Sequence, residues 1–391
     1  MARTTHSPVW DVAVVGAGPA GATAARIAAE NGCSVLLLER ESIPRYKTCG
    51  GGLVGASLAA LPEGADVRIC DELSRVTLSM HGRRERTLPS RPPLAKMVFR
   101  SEFDAALVER AAEAGAQVRD KCLVKGVEGG EEQVSLRVAN GDVLHARTVV
   151  GADGSASRVA RFVGVRCRQV DLALEIEVPV DSRTSRRWEG RALLEWGPFP
   201  GAFGWVFPKG DISTVGVVGS RGRPDETRRY MRGFVERQGF SGIEPIHDTG
   251  HLTRCRYADS PFARDRALVA GDAAGLADPW LREGISFAMR SGELAGRSAV
   301  AIAGSATRSD TEAAERDYAR SAERELAAEM YASEKLAKIY FARPALVHAA
   351  LVGVPLVWRR VDDYLTGRKT IPEIVNYPGV RPLLSALAAL G

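Results

Sequence analysis

The stretch that most constrains this chain is Asp11–Glu39, DVAVVGAGPAGATAARIAAENGCSVLLLE. Val12–Val15 has the unbroken hydrophobicity of a strand buried in a parallel sheet. Gly16, Gly18 and Gly21 follow in G-x-G-x-x-G spacing. Ala20–Asn31 then predicts a helix, and Val35–Leu38 a second strand ending in Glu39. The three glycines do different things. Gly16 permits the tight turn, Gly18 lets a pyrophosphate approach the backbone, and Gly21 lets helix and strand pack closely. The helix start, with Pro19 and Ala20, offers free N–H groups and a positive dipole end to phosphates. Glu39, roughly 20 residues on, is placed to accept ribose hydroxyls. The pattern implies a bound dinucleotide and leaves FAD and NAD both open.

The rest of the chain bounds the class. Its 391 residues predict two or three domains with ample core. Hydrophobic residues at 45% and charged residues at 26% fit a soluble globular protein. A net charge of +5 is too small to imply nucleic acid, but suits an anionic substrate or an acidic membrane surface. The six cysteines (33, 49, 70, 122, 167 and 255) show neither C-x-x-C nor His-paired spacing. A reduced, cytoplasmic protein with no metal site is the simplest reading. The opening MARTTHSPVW lacks an apolar signal core.

After Glu39, Arg40, Arg45 and Lys47 place positive charge beside the nucleotide site. Cys49-Gly50-Gly51-Gly52 has almost no side chains and suits close approach to a flat ring system. Val76–Met80 alternates like a strand and His81–Arg84 reads as a turn, an excursion into a second domain. A helix follows, with Ser101 predicted as N-cap and Phe103, Leu107 and Ala111 on one face. Arg100, just before it, is placed to reach a cofactor. Residues 121–147, including Val124, predict a small β-meander. It leads into Thr148–Arg158, a strand, then a turn carrying Asp153 and Gly154, then a short helix. Ligands of such sheets bind at the carboxyl ends of strands, which nominates Asp153.

Residues 171–220 predict successive antiparallel strands, the main sheet of the second domain. Most of the arginines beside it (183, 186, 187, 221, 223, 228 and 229) are expected to be solvated. The chain returns to the first domain at Ala267–Gly275, where Gly271 and Asp272 end a strand and small residues are expected to leave a helix N-terminus open. Glu283-Gly284-Ile285 leads into a helix near 285–303, and 311–341 has a long charged helical pattern. Pro344–Trp358 is apolar, but at about 15 residues, interrupted by Pro355, it is too short to span a bilayer. With Arg359 and Arg360 it reads either as a surface segment that touches membrane or as a core-packing cap.

Three strand ends therefore carry nucleotide signals: 16–21, Gly151-Ala152-Asp153-Gly154, and Gly271-Asp272. Together they resemble the FAD-binding oxidoreductases built like p-hydroxybenzoate hydroxylase. The resemblance implies FAD, with the Asp of the third motif on the ribityl chain, and an α/β fold. In that fold a discontinuous Rossmann-like FAD-binding domain (8–75, 100–168 and 261–305) is interleaved with an antiparallel-sheet substrate domain (76–99 and 169–260), followed by C-terminal helices (306–391). Arg45–Gly52, RYKTCGGG, and Phe203–Gly210, FGWVFPKG, are similar to signatures of the geranylgeranyl reductase family, the second lining a lipid pocket. The chain departs from that family twice: Arg282 stands where a Gly usually precedes the Glu-Gly pair, and Phe203 where a Tyr is common.

The resemblance implies saturation of isoprenoid C=C bonds in a prenyl lipid or prenyl diphosphate by hydride from flavin N5. Cys49 is the candidate proton donor, beside Trp205 and Phe203. Lys47, Gly50, Gly51, Gly52, Arg100, Gly284 and Ile285 join the expected cofactor contacts. No separate NADPH-binding domain is evident, so NAD(P)H, ferredoxin or another reductant stays open as electron donor. An FAD monooxygenase is the alternative enzyme, although 203–208 does not match the Trp-x-Trp-x-Ile-Pro strand of halogenases on this fold. A prenyl-lipid carrier without turnover is the non-enzymatic alternative, against which the cysteine argues.

Overall fold

Uninterrupted apolar runs become central strands. In the computed structural model, which describes residues 8–378 and 380, Val9–Val15 lies between Val35–Leu38 on one side and Val143–Gly151 on the other, parallel to both. Val12 pairs with Val35 and with Thr148, so the carboxyl ends of these strands share one edge. Ala267–Val269 adds beyond Val143–Gly151 and Gln117–Arg119 beyond Val35–Leu38, both parallel. The meander strands Val124–Glu128 and Val134–Val138 extend this eight-stranded sheet through antiparallel pairing. Helices Pro19–Glu30, Arg100–Glu113 and Ile285–Ala303 cover it, and Phe103, Leu107 and Ala111 are buried.

The second sheet has seven strands, in the order His247–Arg256, Cys167–Pro179, Ile212–Ser220, Phe203–Lys209, Arg191–Trp196, Arg75–Met80 and Arg83–Pro89. All neighbours are antiparallel except Arg191–Trp196 and Arg75–Met80. Helix Pro224–Gln238 packs Tyr230 and Phe234 on one face, against Ile176, Val178, Val206 and Val217. A third sheet joins Gly52–Val54, Ala95–Met97 and Asp71–Leu73. The fold is a Rossmann-like sheet domain made of discontinuous segments, an antiparallel-sheet domain between them, and C-terminal helices.

Two local expectations change, at Ser101 and at Gly271–Gly275, while the break expected at Pro355 is present. The helix begins at Arg100, with Phe99 in the cap position, because the Phe103 N–H donates to the Phe99 carbonyl and Arg100 pairs with Asp104 one turn on. Ser101 is therefore inside the first turn. Gly271–Ala274 forms a single 3-10 turn, closed by Gly275 at φ +69°, and the next helix starts only at Ile285. The apolar stretch from Pro344 divides into helices Pro344–Gly353 and Pro355–Leu365, since Pro355 cannot donate to continue the first. Helix Ser182–Trp188 and strand His247–Arg256 have no counterpart in the sequence pattern described above. The seven arginines near the second sheet are exposed. Residues 1–7 and 381–391, holding most of the opening segment and the end of the C-terminal region, lie outside the described residues.

Candidate active site

Gly16 has φ +98°, and a Cβ there would sit 2.3 Å from the Ala152 carbonyl oxygen, so the Asp153 turn seats directly on it. A Cβ on Gly21 would lie 1.8 Å from the Gly16 carbonyl oxygen. Gly18 is different: only the Arg45 guanidinium comes near, at 3.6 Å from the Cβ position. Gly18 occupies the cap position of helix Pro19–Glu30, and no side chain caps that end. This helix start lines a cavity of about 940 Å³. Every predicted site residue except Gly21 and Gly271 lines the same cavity. Those two serve packing, Gly21 against Gly16 and Gly271, at φ +57°, against Ala20.

Glu39 is 5% exposed and is fixed by the glycine turn, accepting from the N–H groups of Ala17 and Glu41 at 3.0 and 3.1 Å. An ion-pair chain starts there. Arg45 reaches Glu39 at 3.2 Å and Asp104 at 3.1 Å, and Asp104 takes both arms of Arg100 at 2.8 and 2.9 Å. Cys49 lies close enough to Arg100 to favour its charged form. Burial of Arg100 opposes the charge, but Asp104 and Cys49 outweigh that and keep it a cation. Burial, with Arg100 close by, pulls the Lys47 ammonium below its ordinary value. Arg40 projects outward at the rim and pairs with Glu41 at 3.4 Å.

Asp153 turns back into its own loop, accepting from Ser157 and from the Arg158 N–H, while Gly154 stays open to the cavity. Burial pushes the Asp153 carboxyl up. Asp272 faces His251 and Ser155, each at 3.4 Å. Burial would raise Asp272, but the His251 bond and charge, with Lys47 and Arg100, hold it below the usual carboxylate value. Gly284 caps helix Ile285–Ala303 beside it, and a Cβ there would be 3.5 Å from the Asp272 carboxylate. Val124, 3% exposed, completes the opposite wall.

Beyond these groups the cavity becomes apolar, walled by Leu78, Leu94, Trp196, Phe203, Trp358 and Leu365. The Cys49–Gly52 loop stands at the junction. A Cβ on Gly50 would come within 2.7 Å of the Phe207 ring and 3.6 Å of Trp205 Nε1. One on Gly51, at φ +74°, would meet the Val98 carbonyl oxygen at 2.2 Å. Trp205 is 7% exposed and its Nε1 has no partner among the described residues. Below the loop Glu175 accepts from the Cys49 N–H at 2.9 Å.

The FAD binding domain family matches residues 9–328. Digeranylgeranylglycerophospholipid reductase 1 of Methanococcoides burtonii is 30% identical over 308 residues, 74% of each chain. The chain belongs to the geranylgeranyl reductase family of FAD-dependent oxidoreductases. A geranylgeranyl bacteriochlorophyll reductase-like protein from Thermoplasma acidophilum superposes with a TM-score of 0.74 at 25% identity, covering 97% of this chain and 99% of that one. A flavin-dependent brominase gives 0.72 at 19% identity, over 98% and 100%, a likeness of fold alone.

FAD, the cofactor of this family, fits the residues present. The uncapped helix start, the open Gly18 and a buried acid beyond the second strand form a cradle, and Gly16 and Gly21 let the turns that shape it pack together. The family's usual glycine before Glu-Gly is also explained: Arg282 has φ +57°, a conformation glycine adopts without cost. Its side chain is held by Asp171 at 2.9 Å and by the Pro279 and Trp280 carbonyls at 2.7 Å. The sequence pattern leaves Asp104, Glu175 and the conformation of Arg282 unassigned. Only the Arg100–Asp104 spacing, four apart once the helix begins at Arg100, carries a local signal.

Proposed function

We propose that the chain saturates C=C bonds of an isoprenoid lipid or prenyl diphosphate. The observation that carries this is the single cavity that runs from the fingerprint to an apolar chamber, with Cys49 at the junction. Reduced FAD supplies the hydride, from N5. Gly50, Gly51 and Gly52 let a flat ring approach the loop, and Trp205, Phe203 and Phe207 hold the alkene against it and exclude water. Cys49 gives its thiol proton to the second alkene carbon, and Arg100 stabilises the thiolate left behind. Glu39, Lys47, Asp153 and Asp272 are the polar contacts assigned to the cofactor, with Arg40 at the rim.

The test is mass spectrometry of prenyl diphosphates, prenyl quinones and ether lipids after anaerobic incubation with dithionite-reduced enzyme. Gains of two mass units per bond are expected without oxygen. Consumption that requires oxygen would instead mean a monooxygenase. Cys49→Ala should keep FAD and lose most turnover, on the order of 10²-fold; undiminished turnover would remove Cys49 from the mechanism. Among the described residues no helix is long and apolar enough to cross a membrane. We assign lipid access to helices Pro344–Gly353 and Pro355–Leu365, which line the chamber with Leu351, Trp358 and Leu365 and expose Leu346 and Leu356, with Val354 exposed between them.

A further inference from the structure

Glu175 sits mid-strand in Cys167–Pro179, 1% exposed, yet it lines the cavity. One oxygen, Oε1, accepts from the Cys49 N–H at 2.9 Å and from the Tyr46 hydroxyl at 3.4 Å. The other, Oε2, has no partner among the described residues. A buried carboxylate oxygen without a partner forfeits its hydration, a cost that falls most heavily on the charged form and favours the protonated acid.

The charges around Glu175 are uneven. Strand Phe203–Lys209 presents Lys209, and the carboxylate that Lys209 binds is Glu177, at 3.1 Å. Two buried acids thus share one ammonium. The loop above presents Tyr46, Lys47 and Cys49, and strand His247–Arg256 presents His247, stacked on Tyr46 at 3.8 Å, and His251, which faces Asp272. No arginine or lysine among the described residues bonds Glu175 directly. Burial pushes its carboxyl up to about 7, so near neutral pH it exists both with and without its proton.

A hydroxyl chain leads outward. The Tyr46 hydroxyl lies 3.2 Å from Thr249 Oγ1, which lies 2.9 Å from Thr48 Oγ1, and all three residues are partly exposed. We infer that Glu175 resupplies the proton that Cys49 spends, drawing its own replacement from solvent through Tyr46, Thr249 and Thr48. This rests on the reading of Cys49 as proton donor. The balance is simple. The Cys49 S–H bond breaks and the alkene carbon gains a C–H bond. The Glu175 O–H bond then breaks and the sulfur regains its proton. The resulting carboxylate takes up one solvent proton, each hydroxyl in the chain passing one on as it receives one. No oxidant or reductant enters these steps.

Glu175→Gln tests this, because the amide oxygen still accepts from the Cys49 N–H while carrying no transferable proton. The variant holoenzyme, reduced and mixed with a prenyl substrate, should complete its first turnover at the wild-type rate, since the thiol starts loaded. Later turnovers should slow on the order of 10²-fold. Wild-type steady-state turnover should fall as pH rises through about 7, where the carboxyl ionises, and the variant should lack that step. A second readout needs no turnover: the infrared carboxylic-acid band of the oxidised holoenzyme should titrate near 7 and be missing from the variant. Equal first and later rates in Glu175→Gln, or a Glu175 ionised throughout, would overturn the inference. If wild type converts no alkene, the proposed function falls first, and this inference falls with it.

Discussion

The two sheets bury both faces by different means, and the difference decides where chemistry can sit. In the first, Val12–Val15, Val35–Leu38 and Val149–Val150 are apolar on both sides, so function is confined to the strand ends, where glycine turns supply backbone N–H groups and single acids. In the second, Leu174, Ile176 and Val178 face helix Pro224–Gln238, while Asp171, Glu175 and Glu177 face inward beneath the glycine loop and cavity. Charge is buried there in mid-strand. Asp171 is matched by Arg282 and Glu177 by Lys209. Glu175 is left to match a moving proton.

The largest expected effect breaks the first sheet's geometry. Gly21→Val puts a branched side chain where even a Cβ would lie 1.8 Å from the Gly16 carbonyl oxygen, and backbone cannot yield as a side chain tip can. The cost should exceed about 3 kcal/mol, beyond ordinary overpacking. The variant should purify without FAD absorbance or fail to fold, and yellow, stably folded protein would refute the packing account.

The two regions are unequally legible in the sequence for the same reason. The fingerprint, Asp153 and Asp272 can be read because their signals are local: an apolar run, a glycine at fixed spacing, an acid at the strand end. Glu175 cannot, because the alternation in DLALEIEV is what a half-solvated strand also shows. Nothing in it tells that the first domain covers the acidic side. Ser101 loses the cap position because the Arg100–Asp104 pair draws one more residue into the helix. The conformation of Arg282 has no signal at all beyond the absence of the family's glycine.

The second sheet's compensation can be broken next. Lys209→Met removes the ammonium from a residue 2% exposed and strands Glu177, which should cost about 3–5 kcal/mol in denaturant unfolding. Adding Glu177→Leu should recover most of that loss, because the desolvated charge is then gone as well as its partner. A double variant no more stable than Lys209→Met alone would show that the pair is held for reasons other than charge balance.

The smallest effect separates charge from conformation at Arg282. Both Arg282→Ala and Arg282→Gly lose the Asp171 pair and the bonds to Pro279 and Trp280. They differ only in backbone preference. At φ +57° alanine bears the left-handed penalty of about 1–2 kcal/mol, while glycine escapes it and gives back a few tenths in unfolded-chain entropy. Arg282→Gly should therefore be the more stable variant by about 1 kcal/mol, read as a shift in the unfolding midpoint. The turn then imposes the left-handed conformation by itself, and the Asp171 pair only offsets its cost in the native chain. If alanine equals glycine, the turn relaxes once the side chain is removed, and the strain at Arg282 is imposed by the pair itself.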